Sequence, residues 1–196
     1  MTIPVILAHG LNGSPNGTKA TLLKKHFNAI VPSLGALELP QQTDALLEVL
    51  PNDNKSIVIG SSLGALAALG AANQCPTKVG FLIMLAPAFD LHRHRDTFAD
   101  ALIERPGLMD DAPRFAGLPL PPDIPCHVVQ GMEDELFEID KAVAFVQKSP
   151  LASLTLVHDN HQLEKWLPDL IAVVQKATDV LRTSNPLSED TRAQEK

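Results

Sequence analysis

The sequence predicts an α/β protein, a three-layer sandwich with a mostly parallel sheet of about six strands between helical layers. Three observations predict it. Short apolar runs alternate with amphipathic ones from the first residues onward. Those short runs are apolar on both faces, as parallel strands covered by helices on either side must be. The composition, 45% hydrophobic and 20% charged over 196 residues, is that of a soluble globular chain long enough to bury one core.

Taken in order, "IPVILA" (3–8), "NAIVPSL" (28–34), "KSIVIG" (55–60), "VGFLIMLA" (79–86), "CHVVQG" (126–131) and "ASLTLVH" (152–158) read as strands. Between them, "TKATLLKKHF" (18–27) reads as a helix with Thr18 as a candidate cap. "QQTDALLEVL" (41–50) sets Leu46, Leu47 and Leu50 at helical spacing. "SLGALAALGAA" (62–72) is apolar all round and therefore a buried helix. "EIDKAVAFVQK" (138–148) and a last helix from about Pro168, with Leu170, Val173, Val174, Ala177 and Leu181 on one face, complete the alternation. Strand–helix alternation of this kind implies right-handed crossovers and a doubly wound sheet. Residues 87–125 break the pattern as a proline-rich insertion of loops, with one short helix at "RDTFADALIER". The expected domain is 1–183. The polar, aperiodic end of the chain, 184–196, is expected to be disordered.

Charge and termini exclude several classes of function. A net charge of −7 argues against nucleic acid, whose phosphates call for a basic surface. Two cysteines, Cys75 and Cys126, make no disulfide framework and read as reduced thiols. "MTIPVILAHG" lacks a basic leader region, and its apolar stretch is too short for a signal peptide or a membrane span. The expectation is a cytoplasmic protein without membrane insertion.

Open parallel sheets bind ligands at the carboxyl ends of their strands, so the residues just after each strand matter most. The first strand is followed by "HGLNGSPNG", the third by "GSSLG", the fifth by "MEDELF" and the sixth by "DNH". A glycine-flanked serine, an acid and a histidine therefore fall on one edge, in the chain order Ser…Asp/Glu…His of α/β-hydrolases. "GSSLG" (60–64) has the strand before it and the helix after it that a G-x-S-x-G nucleophile elbow needs. Its glycines permit a turn so tight that Ser62 is pushed into unfavourable backbone angles and its hydroxyl is exposed.

The loop "HGLNG" offers the second half of an oxyanion hole, with the Leu11 amide facing that of Leu63, the residue after the nucleophile. The spacing of Gly10, Gly13 and Gly17 matches neither phosphate-binding fingerprint. Glu133, Asp134 and Glu138 compete as the acid. Asp134 is favoured because Gly131 ends the strand and puts residue 134 in the loop over the sheet edge. His158 and His161 compete as the base. His161 is favoured because it lies beyond the strand, in the loop that can return to Ser62. His9 is expected to order its own loop, and His92 and His94 lack a third metal ligand nearby. The chemistry this predicts is acyl transfer to Ser62, with His161 as base and Asp134 holding its tautomer. It needs no metal or organic cofactor.

"ILAHGLNGSPNGTKATLLKKHF", "IVIGSSLGALAA", "LAPAFD" and "EDELFEIDKAVAFV" resemble the small bacterial YqiA-type esterases of the α/β-hydrolase superfamily over most of residues 3–183. The resemblance implies an α/β-hydrolase fold that starts at the strand carrying the oxyanion loop. It also implies a serine esterase or thioesterase with Ser62, Asp134 and His161 at the matching positions, acting on a small-molecule acyl ester or thioester. The chain departs from that pattern at Ala65, where a second glycine is common, and at "HDNHQL", where the histidine usually has glycine-rich surroundings. An acyltransferase on the same triad, or an inactive hydrolase-like binding protein, are the alternatives. Within the insertion, Phe89, Leu91, Phe98, Leu102, Phe115 and Leu118 either contact an acyl chain or form the insertion's own core.

Overall fold

The computed structural model describes residues 2–183. Five strands form one all-parallel sheet in chain order: β1 (Val5–Ala8), β2 (Ser56–Ser61), β3 (Val79–Leu85), β4 (Cys126–Gly131) and β5 (Ala152–Val157). Helices α1 (Thr18–Phe27), α2 (Leu39–Val49), α3 (Leu63–Gln74), α4 (Ala99–Glu104), α5 (Leu108–Ala116), α6 (Ile139–Val146) and α7 (Leu170–Thr183) surround it. Two apolar clusters cover the two faces of the sheet. One joins Ile6, Val58, Leu82 and Val128 to α2, α3 and α5, and the other joins Leu7, Ile59, Ile83 and Val129 to α1 and α7. The alternation of side chains along each strand sends neighbouring residues into opposite layers, which is why these strands read as continuous apolar runs.

The sequence-predicted strand at 28–34 shrinks to a single parallel bridge between Ile30 and Ile6. Leu7 N–H donates to Ile30 O and Ile30 N–H to Val5 O, both at 2.9 Å. Pro32 lacks the N–H a longer ladder would use, and Ile30 is itself exposed at the sheet edge. This short bridge sets the topology. The chain leaves β1, passes through α1 to residue 30 on one side of it, and returns through α2 to β2 on the other. The reversal makes the carboxyl ends of β1 and β2 a topological switch point, the place where open α/β sheets form a crevice.

The other departures are in the insertion and at the far edge. Residues 87–125 hold two helices, α4 and α5, and a 3-10 turn at Leu91–Arg93, rather than one short helix. In α5 the residues Leu108, Met109, Ala112 and Phe115 are buried on one face, although Pro113 lies inside the helix. That buried face outweighs the hydrogen bond the proline cannot make. Strand β5, expected to be covered on both faces, is the exposed edge, with Leu156 at 44% exposure. The disorder expected of 184–196 lies outside the described residues. Among the described residues no helix is long and apolar enough to cross a membrane.

Candidate active site

Ser62 stands between β2 and α3 with φ 54° and ψ −119°, a left-handed conformation that a non-glycine residue adopts only under strain. Its neighbours hold it there. Ser62 N–H donates to Leu85 O at 2.8 Å, and Ser62 O accepts from Ala65 N–H at 3.0 Å. A methyl group at Gly64 would run into the backbone carbonyls of Ala8 and His9, and one at Gly60 would overlap Ala65. Gly64 is required because α3 enters directly against the end of β1, and Gly60 because the turn folds α3 back onto the end of β2. The bend directs the serine hydroxyl out over the sheet edge.

Three side chains distant in sequence meet there. His161 Nε2 lies 3.0 Å from Ser62 Oγ, and His161 Nδ1 lies 3.0 Å from Asp134 Oδ2. The imidazole is 5% exposed and the Asp134 carboxylate is fully buried. Asp134 is saturated with donors. Its Oδ1 accepts the N–H groups of Leu136 (2.9 Å) and Phe137 (3.0 Å), and its Oδ2 accepts Gln130 Nε2 at 2.6 Å as well as the imidazole. Burial alone would raise its pKa. The hydrogen bond and charge of His161, with the two backbone donors, outweigh burial and hold the carboxyl below its ordinary range. An ionised acceptor at Nδ1 favours the tautomer with its proton there, which turns the Nε2 lone pair toward Ser62 Oγ.

The loop carrying His161 is built on Asp159, within the "HDNHQL" stretch where the chain departs from the family pattern. Asp159 is 1% exposed. Its Oδ1 accepts the N–H of Asn160 and its Oδ2 that of Trp166, both at 2.9 Å, so one carboxylate closes the loop at both ends. Burial opposes ionisation, but the N–H groups of Trp166 and Asn160 prevail and the pKa is lowered. Inside the loop, Leu163 takes a φ of 56° with its side chain buried, and Glu135 Oε2 accepts the His161 N–H at 3.2 Å. Phe137 packs edge-on against the imidazole, ring centroids 5.0 Å apart, and itself supports His94 and Phe98 of the insertion.

The competing candidates point elsewhere. His158 is 83% exposed and faces Glu133, and Glu138 pairs with Arg93 and Lys141 on the surface. His9 orders its loop: Leu34 N–H donates to its Nε2 at 3.1 Å, so the proton sits on Nδ1, 3.0 Å from Gly10 O. His94 packs on Phe137, and among the described residues no group of His, Cys, Asp and Glu has the makings of a metal site. Leu11 lies on the cleft wall, and its N–H has no acceptor among the described residues. Leu63 opens α3, so its N–H belongs to the first turn, which has no intrahelical acceptor.

A cleft of about 290 Å³ opens beside Ser62, lined by the loop after β1, the start of α1, His161, Gln162, Leu136 and Phe98. Of the six apolar insertion residues, only Phe98 reaches it. Phe89, Leu91 and Phe115 are buried in the core, and Leu102 and Leu118 pack against that core. Asp159, Gln130, Phe137 and Lys19 are the residues around Ser62, Asp134 and His161 that sequence reasoning missed. Only Gln130 left a signal, a polar residue within the apolar "CHVVQG".

A family model described as "Uncharacterised protein family (UPF0227)" matches residues 4–177. No curated protein matches the sequence. Among solved structures, mouse alpha/beta hydrolase domain-containing protein 10 is similar with a TM-score of 0.74 at 21% identity, over 92% of this chain and 91% of that one. Est1E from Butyrivibrio proteoclasticus, in a structure with ferulic acid bound, aligns with a TM-score of 0.72 at 17% identity over 92% and 90%. An α/β-superfamily protein from Xanthomonas campestris aligns at 0.63 and 23% identity over 93% and 98%. The fold is that of the α/β-hydrolases.

Proposed function

We propose that this chain, which belongs to the UPF0227 family, is a serine hydrolase that cleaves a small or medium acyl ester or thioester through an acyl-enzyme on Ser62. One observation carries the reading: the unbroken 3.0 Å relay from Ser62 Oγ to His161 and on to Asp134, with Ser62 held at a positive φ on the bend between β2 and α3. As Ser62 Oγ attacks the acyl carbon, His161 Nε2 takes its proton, and the imidazolium is stabilised by the Asp134 carboxylate. The carbonyl oxygen becomes an oxyanion facing the Leu11 and Leu63 amides and the amino end of α3. Collapse expels the alcohol or thiol, which takes the proton from Nε2. Water then repeats the sequence on the acyl-serine and frees the acid. The likeness to Est1E and to a methylesterase from Arabidopsis supports ester chemistry on this fold.

A fluorophosphonate probe tests the reading. The native protein should be labelled rapidly, Ser62→Ala not at all, and His161→Ala and Asp134→Asn at rates lower by about ten-thousandfold, the size of the loss when a triad Asp becomes Asn. Labelling of the native protein no faster than Ser62→Ala would end the hydrolase reading. Acyl esters and thioesters of graded chain length would then define the substrate.

A further inference from the structure

The cleft has one permanent charge, and it is positive. Among its lining residues, Asn12, Ser14, Thr18 and Gln162 are neutral, no carboxylate or arginine contributes, and Lys19 stands alone on a chain of net charge −7. Lys19 Nζ donates to Gln162 O at 2.7 Å. An ammonium has three donors, and neither of the other two has an acceptor among the described residues. Nor does any described carboxylate come within ion-pair distance of it. A lysine on a protein surface ordinarily loses nothing by this, because water satisfies it. Here burial dominates and lowers the Lys19 pKa, against the weaker pull of Glu164 and Asp159. Lys19 is half-buried, and its two remaining donors on the cleft wall can pass from water to an anionic group of a bound ligand.

Its position fits a substrate group. Gln162 follows His161, so the ammonium is anchored one residue from the imidazole that faces Ser62. The backbone around it has the same polarity. Gly17 caps α1 without a side-chain hydrogen bond, the first turn holds no acid, and Gly17, Thr18 and Lys19 all face the cleft. Phe98, Leu136 and Leu11 make the cleft's apolar part. We propose that the substrate is an ester or thioester bearing an anionic group, a carboxylate or a phosphate, which Lys19 binds through its two open donors. This deepens the hydrolase reading and rests on it.

The test compares matched pairs of esters on the intact protein. Para-nitrophenyl hydrogen glutarate is set against para-nitrophenyl pentanoate, with the anion on the acyl side. Para-acetoxybenzoate is set against its methyl ester, with the anion on the leaving side. The readout is the ratio of kcat/KM for the anionic member to that for the neutral member. In at least one pair the native ratio should favour the anion, and that pair tells which side of the scissile bond carries it. Lys19→Met should cut this ratio about tenfold or more, the size of one lost charge-assisted hydrogen bond, and Lys19→Arg should largely keep it. The anionic rate should also fall more steeply with salt. A native preference for the neutral members, or a Lys19→Met variant that slows both members equally, would overturn the proposal. Equal slowing would mean that Lys19 only fastens the Gln162 carbonyl. Fluorophosphonate labelling separates the two failures. If the native protein takes the probe and the ratio does not move, the anion inference falls alone. If it does not take the probe, both fall.

Discussion

Replacing Asp159 by alanine tests whether one buried carboxylate holds the loop that carries His161. Asp159 accepts two backbone N–H groups at 2.9 Å, one at each end of the loop, and is 1% exposed. A hydrogen bond to a charged group contributes about 1.5–3 kcal/mol. Water can reach part of the freed loop, so the two together should be worth about 3 kcal/mol rather than the full sum. For a domain of this size each kcal/mol moves the midpoint by about 2–4 °C, which gives a fall in Tm of about 6–12 °C. The loss should depend on pH. The folded pKa is depressed, so the contribution is complete above the unfolded aspartate value of about 3.9 and disappears as pH falls through the folded value. The gap between native and Asp159→Ala stabilities should therefore close below about pH 4. Thermal unfolding by circular dichroism at pH 7 and at pH 3 measures this, with fluorophosphonate labelling as the functional readout. Labelling should slow by about a hundredfold, because a displacement of 1 Å is enough to spoil the proton transfer from Ser62. An unchanged midpoint together with an unchanged labelling rate would refute the role given to Asp159.

Three further outcomes follow from the same geometry. Gly64→Ala should cost about 3 kcal/mol or more and abolish labelling, since its methyl group meets the Ala8 and His9 carbonyls rather than flexible side chains; urea denaturation measures it. Cys126 is buried, and burial pushes its thiol pKa up, whereas Cys75 is half-buried. A disulfide-exchange reagent at pH 8 should thus titrate one thiol in the native protein and two after unfolding. Arg93 and Glu138, 3.3 Å apart with both side chains more than half exposed, tie the insertion to the start of α6. Arg93→Ala should nevertheless change stability by less than about 1 kcal/mol, because solvent screens an exposed pair; calorimetry decides.

Most of the fold was legible because its causes are local. Helix α1 occupies the stretch read from its pattern, and all five strands fall where β-rich apolar runs lie. The proline in "NAIVPSL" is the local reason that the second run makes only a bridge. Helix α5 had a helical pattern, with Leu108, Ala112 and Phe115 on one face, but Pro113 obscured it. The exposure of β5 was not legible, since whether a strand is central or at the edge depends on the order of the whole sheet.

The chain by itself determined the elbow. Glycines at 60 and 64, a strand before and a helix after are all within a dozen residues, and together they force the strained φ at Ser62. It also narrowed the acid and the base to a few neighbours. Only the tertiary structure shows which of them lie beside Ser62. Ser62 and His161 are 99 residues apart, and the direction of the imidazole depends on Asp159 closing its loop and on Phe137 packing against its side. Three of the four donors on Asp134 are local, from Gln130, Leu136 and Phe137, but the fourth, His161, comes from another loop, as does the Gln162 carbonyl that holds the Lys19 ammonium. Sequence spacing carries backbone geometry over a few residues. Where side chains from distant loops point is fixed only when the sheet has brought those loops to one edge.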